Sequence, residues 1–162
     1  MTGIADAAEV APATHATDAE VFAAFPAVLI DRDNIEHYRG LLARRLLINR
    51  CAACGCWVYP HRPLCPKCWS WDVVPTQVSG DGSVFLCTLI HQERDPGAAP
   101  GEPVPTAAVE LVEQPGLRYL APIVNCPPDR VRLDMPVRLT WVDRDGVAWP
   151  AFQPSGLIEG GR

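Results

Sequence analysis

The sequence predicts a mainly β protein that has an N-terminal helical segment, a metal-binding ribbon and a small five-stranded barrel. Three observations lead to this fold class. The 162 residues include 12 glycines and 17 prolines, which suits short strands joined by many turns. After residue 72, strand-like runs with period-two patterning are separated by turn signals. Two Cys-x-x-Cys pairs, Cys51–Cys54 and Cys65–Cys68, lie close together in the chain, a spacing typical of a metal-binding ribbon.

The composition argues against several classes of protein. The chain has 14 basic and 19 acidic residues, for a net charge of −5. A general nucleic-acid binder gains its affinity from clustered Lys and Arg that neutralise phosphates, so no nucleic-acid partner is expected. No apolar run approaches the ~20 residues of a membrane helix, and no secretory signal is visible. We therefore expect a cytoplasmic protein with one domain, or one domain with a small satellite module.

Residues 1–30 are expected to form a mobile or helical extension. Thr17 and Glu20 fit a capping box, in which each side chain accepts from the backbone N–H of the other residue. Val21 and Phe25 would then lie in a short helix that Pro26 ends. A flexible linker with a few chance hydrophobic residues is the alternative.

Residues 31–50 are expected to form a second helix and a strand that leads into the ribbon. Either Asp33 or Asn34 can cap the helix. Four apolar residues then recur at helical spacing on one face, namely Ile35, Tyr38, Leu41 and Leu42. The apolar run 46–48 is expected to be a short strand that continues to Cys51.

The cysteine pattern of the ribbon, at 51–72, predicts one structural zinc ion per chain. The thiolates of Cys51, Cys54, Cys65 and Cys68 can surround the metal as a tetrahedron with no position left for water. Two disulfides, a redox-active pair and a tetrathiolate iron site are the alternatives, of which disulfides are rare in reducing compartments. Cys56 is interpreted as a bystander, because the two pairs already supply four ligands. The remaining cysteines, Cys87 and Cys126, are expected to be buried thiols.

The barrel is expected at 73–156, followed by a tail at 157–162. Its five predicted strands are 73–79, 83–92, 106–112, 117–125 and 137–143. Turn signals lie at 80–82, 114–116 and 143–146, and the Pro- and Gly-rich segment 93–105 is predicted to be a loop. Five short strands with one long loop favour a small closed barrel, of which the OB-fold is the leading option.

No catalytic constellation is apparent in the sequence. The serines and acidic residues lie in turn-like segments, and a zinc site with four thiolates has no open position for hydrolysis. Four aromatic residues surround the cysteine arm, namely Trp57, Tyr59, Trp69 and Trp71. Some are expected to pack internally and others to contact a partner, because Trp, Tyr and Arg concentrate binding energy at interfaces. A binding or scaffold module is therefore favoured over an enzyme.

Several segments resemble a known family. They are 46–51 (LLINRC), 59–68 (YPHRPLCPKC), 78–84 (VSGDGSV) and 135–139 (MPVRL). Together they are similar to the acyl-CoA-associated OB-fold proteins with an N-terminal rubredoxin-like zinc ribbon, the family of the domain of unknown function thirty-five. The resemblance extends from His37 to Gly156. It implies a helical N-terminal segment, a zinc ribbon and an OB barrel.

The resemblance also implies a role. Members of this family associate with thiolase-superfamily proteins, including acyltransferases and the lipid-transfer-protein-like aldolases of steroid side-chain degradation, and some work beside MaoC-like hydratases. The implied function is a subunit that is not catalytic on its own but is required by the thiolase-like complex. It would stabilise its partner and help to form the acyl-CoA channel. This chain departs from the family by having Trp69 where a glycine commonly follows the second knuckle, and His37-Tyr38 in place of an aromatic pair.

The expected partner interface is the arm between the two cysteine pairs. The residues assigned to it are Trp57, Tyr59, His61 and Arg62. The planar guanidinium of Arg62 can meet a carboxylate or a CoA phosphate. In the competing interpretation, Tyr59 packs on the chain's own barrel and Arg62 is solvated surface. Two other functions are weighed against this one: a zinc-ribbon OB module that binds nucleic acid, and a rubredoxin-like electron carrier.

Overall fold

The computed structural model describes residues 16–91 and 103–156, and these residues form two sheets and two short α-helices. The helices are α1 (Asp18–Ala24) and α2 (Ile35–Leu42). The strands of the ribbon are β1 (Leu47–Cys51), β2 (Trp57–Val58) and β3 (Val73–Gln77). The strands of the barrel are β4 (Asp81–Ile90), β5 (Val104–Leu111), β6 (Arg118–Pro122), β7 (Pro136–Arg144) and β8 (Val147–Pro154). A 3-10 turn at Pro128–Arg130 lies between β6 and β7. The prediction of a mainly β protein is confirmed.

The start of α1 follows the sequence prediction, whereas the start of α2 does not. The hydroxyl oxygen of Thr17 accepts from the N–H of Glu20, and the Glu20 carboxylate accepts from the N–H of Thr17, so the capping box is confirmed. Asn34 precedes α2 but makes no side-chain cap. Its side-chain Oδ1 instead accepts from the backbone N–H of Asp31 at 2.9 Å, and its own N–H donates to the Asp31 carboxylate at 3.1 Å, so the two residues close a local turn. The predicted side-chain cap by Asp33 or Asn34 was therefore wrong.

The ribbon sheet has the order β2-β1-β3, and all its pairings are antiparallel. Residue Cys51 pairs with Val73 and Leu47 pairs with Gln77, so β3 runs the full length of β1. The first of the five predicted barrel strands, at 73–79, thus pairs with the ribbon and not with the barrel. The prediction placed it wrongly because alternating side chains mark a strand but do not identify its partner.

The second sheet has the order β6-β5-β4-β7-β8 and is nearly closed into a five-stranded OB barrel. Closure occurs where the N–H of Val124 donates to the carbonyl of Phe152 at 2.8 Å. The fifth barrel strand is β8, which the sequence prediction missed. It follows the two-residue turn Asp145-Gly146, where φ is 53° and 78°. These positive values are those of a type I′ hairpin turn, which Asp-Gly favours.

The long loop was predicted to extend to Pro105, but β5 already begins at Val104. Residues 93–102 of that loop, the predicted strand end at Gln92, residues 1–15 of the extension and the tail at 157–162 lie outside the described residues. Neither α-helix in the described ranges is long and apolar enough to cross a bilayer.

One hydrophobic core joins the helices, the ribbon and the barrel. Its fully buried side chains include Leu41 on α2, Ile48 on β1 and Phe152 on β8. The N-terminal segment also contributes, because the Phe25 ring meets the Trp149 ring edge-on at 5.2 Å between centroids. The ribbon therefore does not stand apart from the barrel, and their junction lies beside the cysteine arm.

Candidate metal centre and the ribbon–barrel junction

The two Cys-x-x-Cys segments form matching knuckles. In the first, the N–H of Gly55 donates to the carbonyl of Cys51 at 2.8 Å. In the second, the N–H of Trp69 donates to the carbonyl of Cys65 at 3.0 Å. Both donors have left-handed backbone, with φ of 73° at Gly55 and 59° at Trp69. A bulky residue rarely adopts this conformation, so Trp69 occupies a position whose geometry suits glycine.

The four predicted ligands converge. All of their sulfur atoms lie within 4.8 Å of one another. In two pairs, Cys51–Cys68 and Cys54–Cys65, the sulfur atoms are separated by 3.6 Å. A tetrahedral zinc site with Zn–S bonds of about 2.3 Å places its sulfurs roughly 3.8 Å apart. The donor set and its spacing therefore fit a closed structural zinc site, in agreement with the prediction of one zinc ion.

The electrostatics of the cysteines also favour a bound cation. Burial raises the pKa of Cys65, but the backbone N–H groups of Cys68 and Lys67 outweigh this effect and lower it to about 6. The N–H of Ser70 lowers the pKa of Cys68, but contacts with the neighbouring thiols raise it to about 12. Because a metal ion binds the thiolate form of cysteine, the lowered pKa of Cys65 suits a metal ligand, and a cation beside Cys68 would favour its thiolate.

The other cysteines lie outside this set of four. Cys56 is half-buried, and burial together with the adjacent Cys65 and Cys54 sulfurs raises its pKa. Cys87 and Cys126 were predicted to be buried, but both are half-buried. Both pack against the hydrophobic core from partly exposed positions.

Trp57, one of the predicted interface residues, packs inside the chain and is only 9% exposed. Its backbone N–H donates to the side-chain carbonyl of Gln114 at 2.9 Å, and the Gln114 amide donates back to the carbonyl of Trp57 at 3.3 Å. The Arg50 guanidinium lies over the indole, 5.4 Å from its centroid. The ribbon is thereby fastened to the β5–β6 turn of the barrel.

Tyr59 and His61 lie in an aromatic cluster between the ribbon and the barrel. The Tyr59 ring is 5.4 Å from that of Tyr119 on β6, and the His61 ring is 4.8 Å from that of His37 on α2. Two hydrogen bonds fix the ring of His37. Its Nδ1 bonds to the carbonyl of Leu47 at 2.9 Å, and its Nε2 bonds to the Tyr119 hydroxyl at 3.3 Å. Tyr59 therefore packs on the chain's own barrel, as the competing interpretation expected.

The two histidines of this cluster are neutral at physiological pH. Burial, reinforced by the neighbouring His37, lowers the pKa of His61 to about 4. Burial also lowers the pKa of His37, and the hydrogen bond to Leu47 only partly opposes this effect. Both ring nitrogens of His61 are buried without a hydrogen-bond partner among the described residues. A protonated ring at either position would place an unbalanced charge in an apolar junction.

The exposed residues of the ribbon include Arg62 and two tryptophans. Trp69 is 72% exposed and Trp71 is 71% exposed. Trp71 and Pro63 line an open groove of about 410 Å³ together with residues of α2 and of the loop before it. The sequence placed these tryptophans near the metal arm but could not show which aromatic residues face solvent.

Comparison with known proteins identifies the family. Residues 39–74 match the rubredoxin-like zinc ribbon domain of ChsH2, and residues 75–142 match the ChsH2 C-terminal OB-fold domain. A DUF35 domain-containing scaffold protein of Methanocaldococcus jannaschii is 30% identical over 74% of this chain and 85% of its own length. The chain belongs to the DUF35 family. A DUF35 scaffold protein of Pyrococcus furiosus, 33% identical over 71% of the chain and 85% of its own length, agrees.

Two further relatives connect the DUF35 chain to larger proteins. A probable enoyl-CoA hydratase alpha subunit of Thermomonospora curvata is 35% identical over 88% of this chain, which spans 44% of that protein. A solved structure, the Ltp2-ChsH2(DUF35) aldolase, matches with a TM-score of 0.70 and 34% identity, covering 80% of this chain and 99% of the matched chain. The chain thus spans less than half of the hydratase subunit but nearly all of the ChsH2 chain in the aldolase.

Proposed function

We propose that this DUF35 chain is a non-catalytic accessory subunit of a CoA-dependent thiolase-superfamily complex, acting in the cytoplasm. The partner is a lipid-transfer-protein-like aldolase or an acyltransferase, accompanied in some assemblies by a MaoC-like hydratase. The observation that carries the proposal is the match to nearly the whole ChsH2 chain of the Ltp2-ChsH2(DUF35) aldolase. The scaffold proteins among the relatives, of almost the same extent, support the same role.

The chemistry of the described residues supports a scaffold in place of a catalyst. The four clustered thiolates use every coordination position of a tetrahedral metal, so water or substrate has no place on it. The buried His37 already has partners for both ring nitrogens. His61 has a depressed pKa, but its nitrogens are enclosed and offer no path to a substrate.

We place the partner interface on the arm between the knuckles, with Arg62 as its exposed contact. Trp57 and Tyr59 support this arm from behind by packing on the barrel, and His61 packs against His37 of α2. A backbone that is already ordered loses less entropy when it docks. The exposed fork of Arg62 is suited to a carboxylate of the partner or to a phosphate of acyl-CoA at the interface. Contact with acyl-CoA would make the arm part of the wall of the substrate channel.

Co-purification with a thiolase-superfamily subunit tests the proposed function. The zinc-loaded chain is co-expressed with Ltp2, the aldolase subunit of the solved complex, and the mixture is analysed by size-exclusion chromatography. We expect a stoichiometric complex, and acyl-CoA turnover only when both proteins are present. Turnover by the purified chain alone would overturn the non-catalytic role. Failure of the wild-type chain to bind any of a panel of thiolase-superfamily subunits would overturn the accessory role.

Two single substitutions test the arm. Arg62→Ala removes the exposed cation, and Tyr59→Ala removes a support of the arm. Arg138→Ala, an exposed arginine on β7, is the matched control. We expect both arm variants to retain zinc but to lose partner binding or activity, while the control behaves as wild type. Wild-type yield and activity from both zinc-loaded arm variants would show that the arm is not the docking surface.

A further inference from the structure

The second half of β4 has an open edge. The strand bends at a bulge between Val84 and Leu86. Before the bulge, β4 pairs with β5 on one side and with the start of β7 on the other. The pairing on this second side ends at Val84. The N–H of Val84 donates to the carbonyl of Met135, and the carbonyl of Val84 accepts from the N–H of Asp134. From Phe85 to Ile90, within the residues that the structure describes, only the β5 side of the strand is paired.

The pairing with β5 determines which backbone groups face the open edge. The carbonyl of Pro105 accepts from the N–H of Ile123 at 2.8 Å, so Pro105 directs its backbone polar groups towards β6. Leu89 lies opposite Pro105, and its N–H and carbonyl therefore point away from β5. Because alternate residues of a strand share the same direction, Cys87 also presents its N–H and carbonyl at the open edge.

The side chains along this edge are uncharged and mainly apolar on both faces. Leu86, Thr88 and Ile90 lie on the outer face of the sheet, whereas Cys87 and Leu89 point to the other face. Leu86 is 59% exposed and Leu89 is 44% exposed. No charged side chain occurs between Phe85 and Ile90. Natural proteins usually protect such an edge with charges, prolines or a covering element, since an open apolar edge pairs readily with another strand.

We propose that a second copy of this chain occupies the edge, with β4 paired antiparallel to β4 about a two-fold axis at Thr88. In this register, Cys87 of one copy lies opposite Leu89 of the other. These are the residues with outward-facing backbone groups, so each N–H meets the carbonyl of its partner. Thr88 lies opposite itself, in a non-hydrogen-bonded pair whose side chains approach closely. The three-stranded surface β6-β5-β4 of each copy continues into that of the other.

A second copy fits better than a foreign strand because the segment is self-complementary. A two-fold interface requires one patch to match itself. Here Leu86 falls opposite Ile90 on the outer face, and Thr88 meets Thr88, a pair that stabilises sheets. Because this segment carries no charge, two identical copies would not repel each other there. It also offers no charge that would select an oppositely charged partner. The row from Leu86 through Ala108 to Leu120 extends the apolar surface beside the axis.

Charged substitutions at the two-fold axis test the arrangement. Thr88 is exposed, so Thr88→Glu and Thr88→Lys leave the core intact. We expect sedimentation velocity of the full zinc-loaded chain to show a wild-type dimer and to show each variant weakened at least about tenfold, because like charges would lie opposite each other. An equimolar mixture of the two variants should restore the dimer. Val112→Glu, at an exposed apolar residue just after β5, is the control and should dimerise as wild type does.

Amide hydrogen exchange supplies a second measurement. The N–H of Leu89 should exchange more slowly as the protein concentration rises, while that of Thr88, already paired with β5, should not change. A wild-type chain that stays monomeric, or a Leu89 amide that is protected equally at all concentrations, would overturn the proposal and show that another element covers the edge. Dimers formed equally well by the wild type, both charge variants and their mixture would likewise contradict the two-fold axis at Thr88. None of these results depends on a thiolase-like partner.

Discussion

A methyl group added at Gly80 should destabilise the protein more than the same change at any other described turn glycine. Gly80 lies between β3 and β4, where the chain passes from the ribbon into the barrel. Its φ is 85°, and a Cβ built there would lie 2.5 Å from the Cβ of Leu139. The N–H of Leu139 donates to the carbonyl of Gly80 at 2.7 Å. The two backbones are thus held together and cannot separate without breaking that bond.

The magnitude follows from two contributions. A non-glycine residue in the left-handed region costs roughly 1–2 kcal/mol. Forcing an extra carbon into a filled space costs about 1–3 kcal/mol more. Gly80→Ala should therefore lower the free energy of unfolding by about 2–5 kcal/mol. Gly116 is a matched control, because its φ is 81° but no atom lies within 4 Å of the added carbon. Gly116→Ala should cost only the backbone contribution.

The assay is urea unfolding of the zinc-loaded variants, followed by tryptophan fluorescence and by far-ultraviolet circular dichroism. Since the two variants share the backbone cost, the difference between them isolates the contact with Leu139. Equal free energies of unfolding for Gly80→Ala and Gly116→Ala would refute the close approach between the ribbon exit and β7.

Three other predictions concern the metal, the tryptophans and pH. The purified chain should contain one equivalent of zinc, and Cys51→Ser should lose it and loosen the ribbon first, as elemental analysis and limited proteolysis would show. Trp57→Ala should lower the free energy of unfolding by about 3–5 kcal/mol, because it empties a buried site. Trp69→Gly should stay within about 1 kcal/mol of wild type, because glycine tolerates the left-handed backbone at this position and this gain offsets the small loss of buried surface. Urea unfolding of the two variants distinguishes these outcomes. The pKa of His61 falls from 6.5 to about 4 on folding. Between these pH values the unfolded chain binds a proton that the folded chain does not, so the free energy of unfolding decreases as the pH drops from 6.5 towards 4. The melting temperature of His61→Asn should therefore depend less steeply on pH in that window, and equal slopes would contradict the assignment.

Local features of this fold could be read from the sequence. The capping box of α1 depends on two residues in one turn, and the Asp145-Gly146 turn depends on the backbone preferences of two adjacent residues. The zinc ligands could be predicted because spacing alone decides which thiols can reach one metal. Even so, the strand that follows Asp145-Gly146 was missed, although such a turn predicts a partner strand on each side.

Features that depend on distant parts of the chain could not be predicted. The pairing of β3 with β1 is decided by tertiary packing, because either sheet could have accepted its alternating side chains. The burial of Trp57 depends on Gln114, which lies far along the chain and binds its backbone. Likewise, His61 is enclosed only because His37 and Tyr59 approach it from α2 and the arm. The sequence showed a group of aromatic residues but not which of them the barrel would cover.

The hydroxyl of Tyr119 reaches from β6 to His37 on α2, and this contact bears on how the family can be recombined. A zinc ribbon moved alone onto another barrel would leave its arm without this tyrosine and without the glutamine that binds Trp57. A barrel cut free at residue 75 would expose Tyr119 and part of the core to water. An engineered fusion should therefore keep the ribbon, the barrel and the helix that precedes them together as one unit.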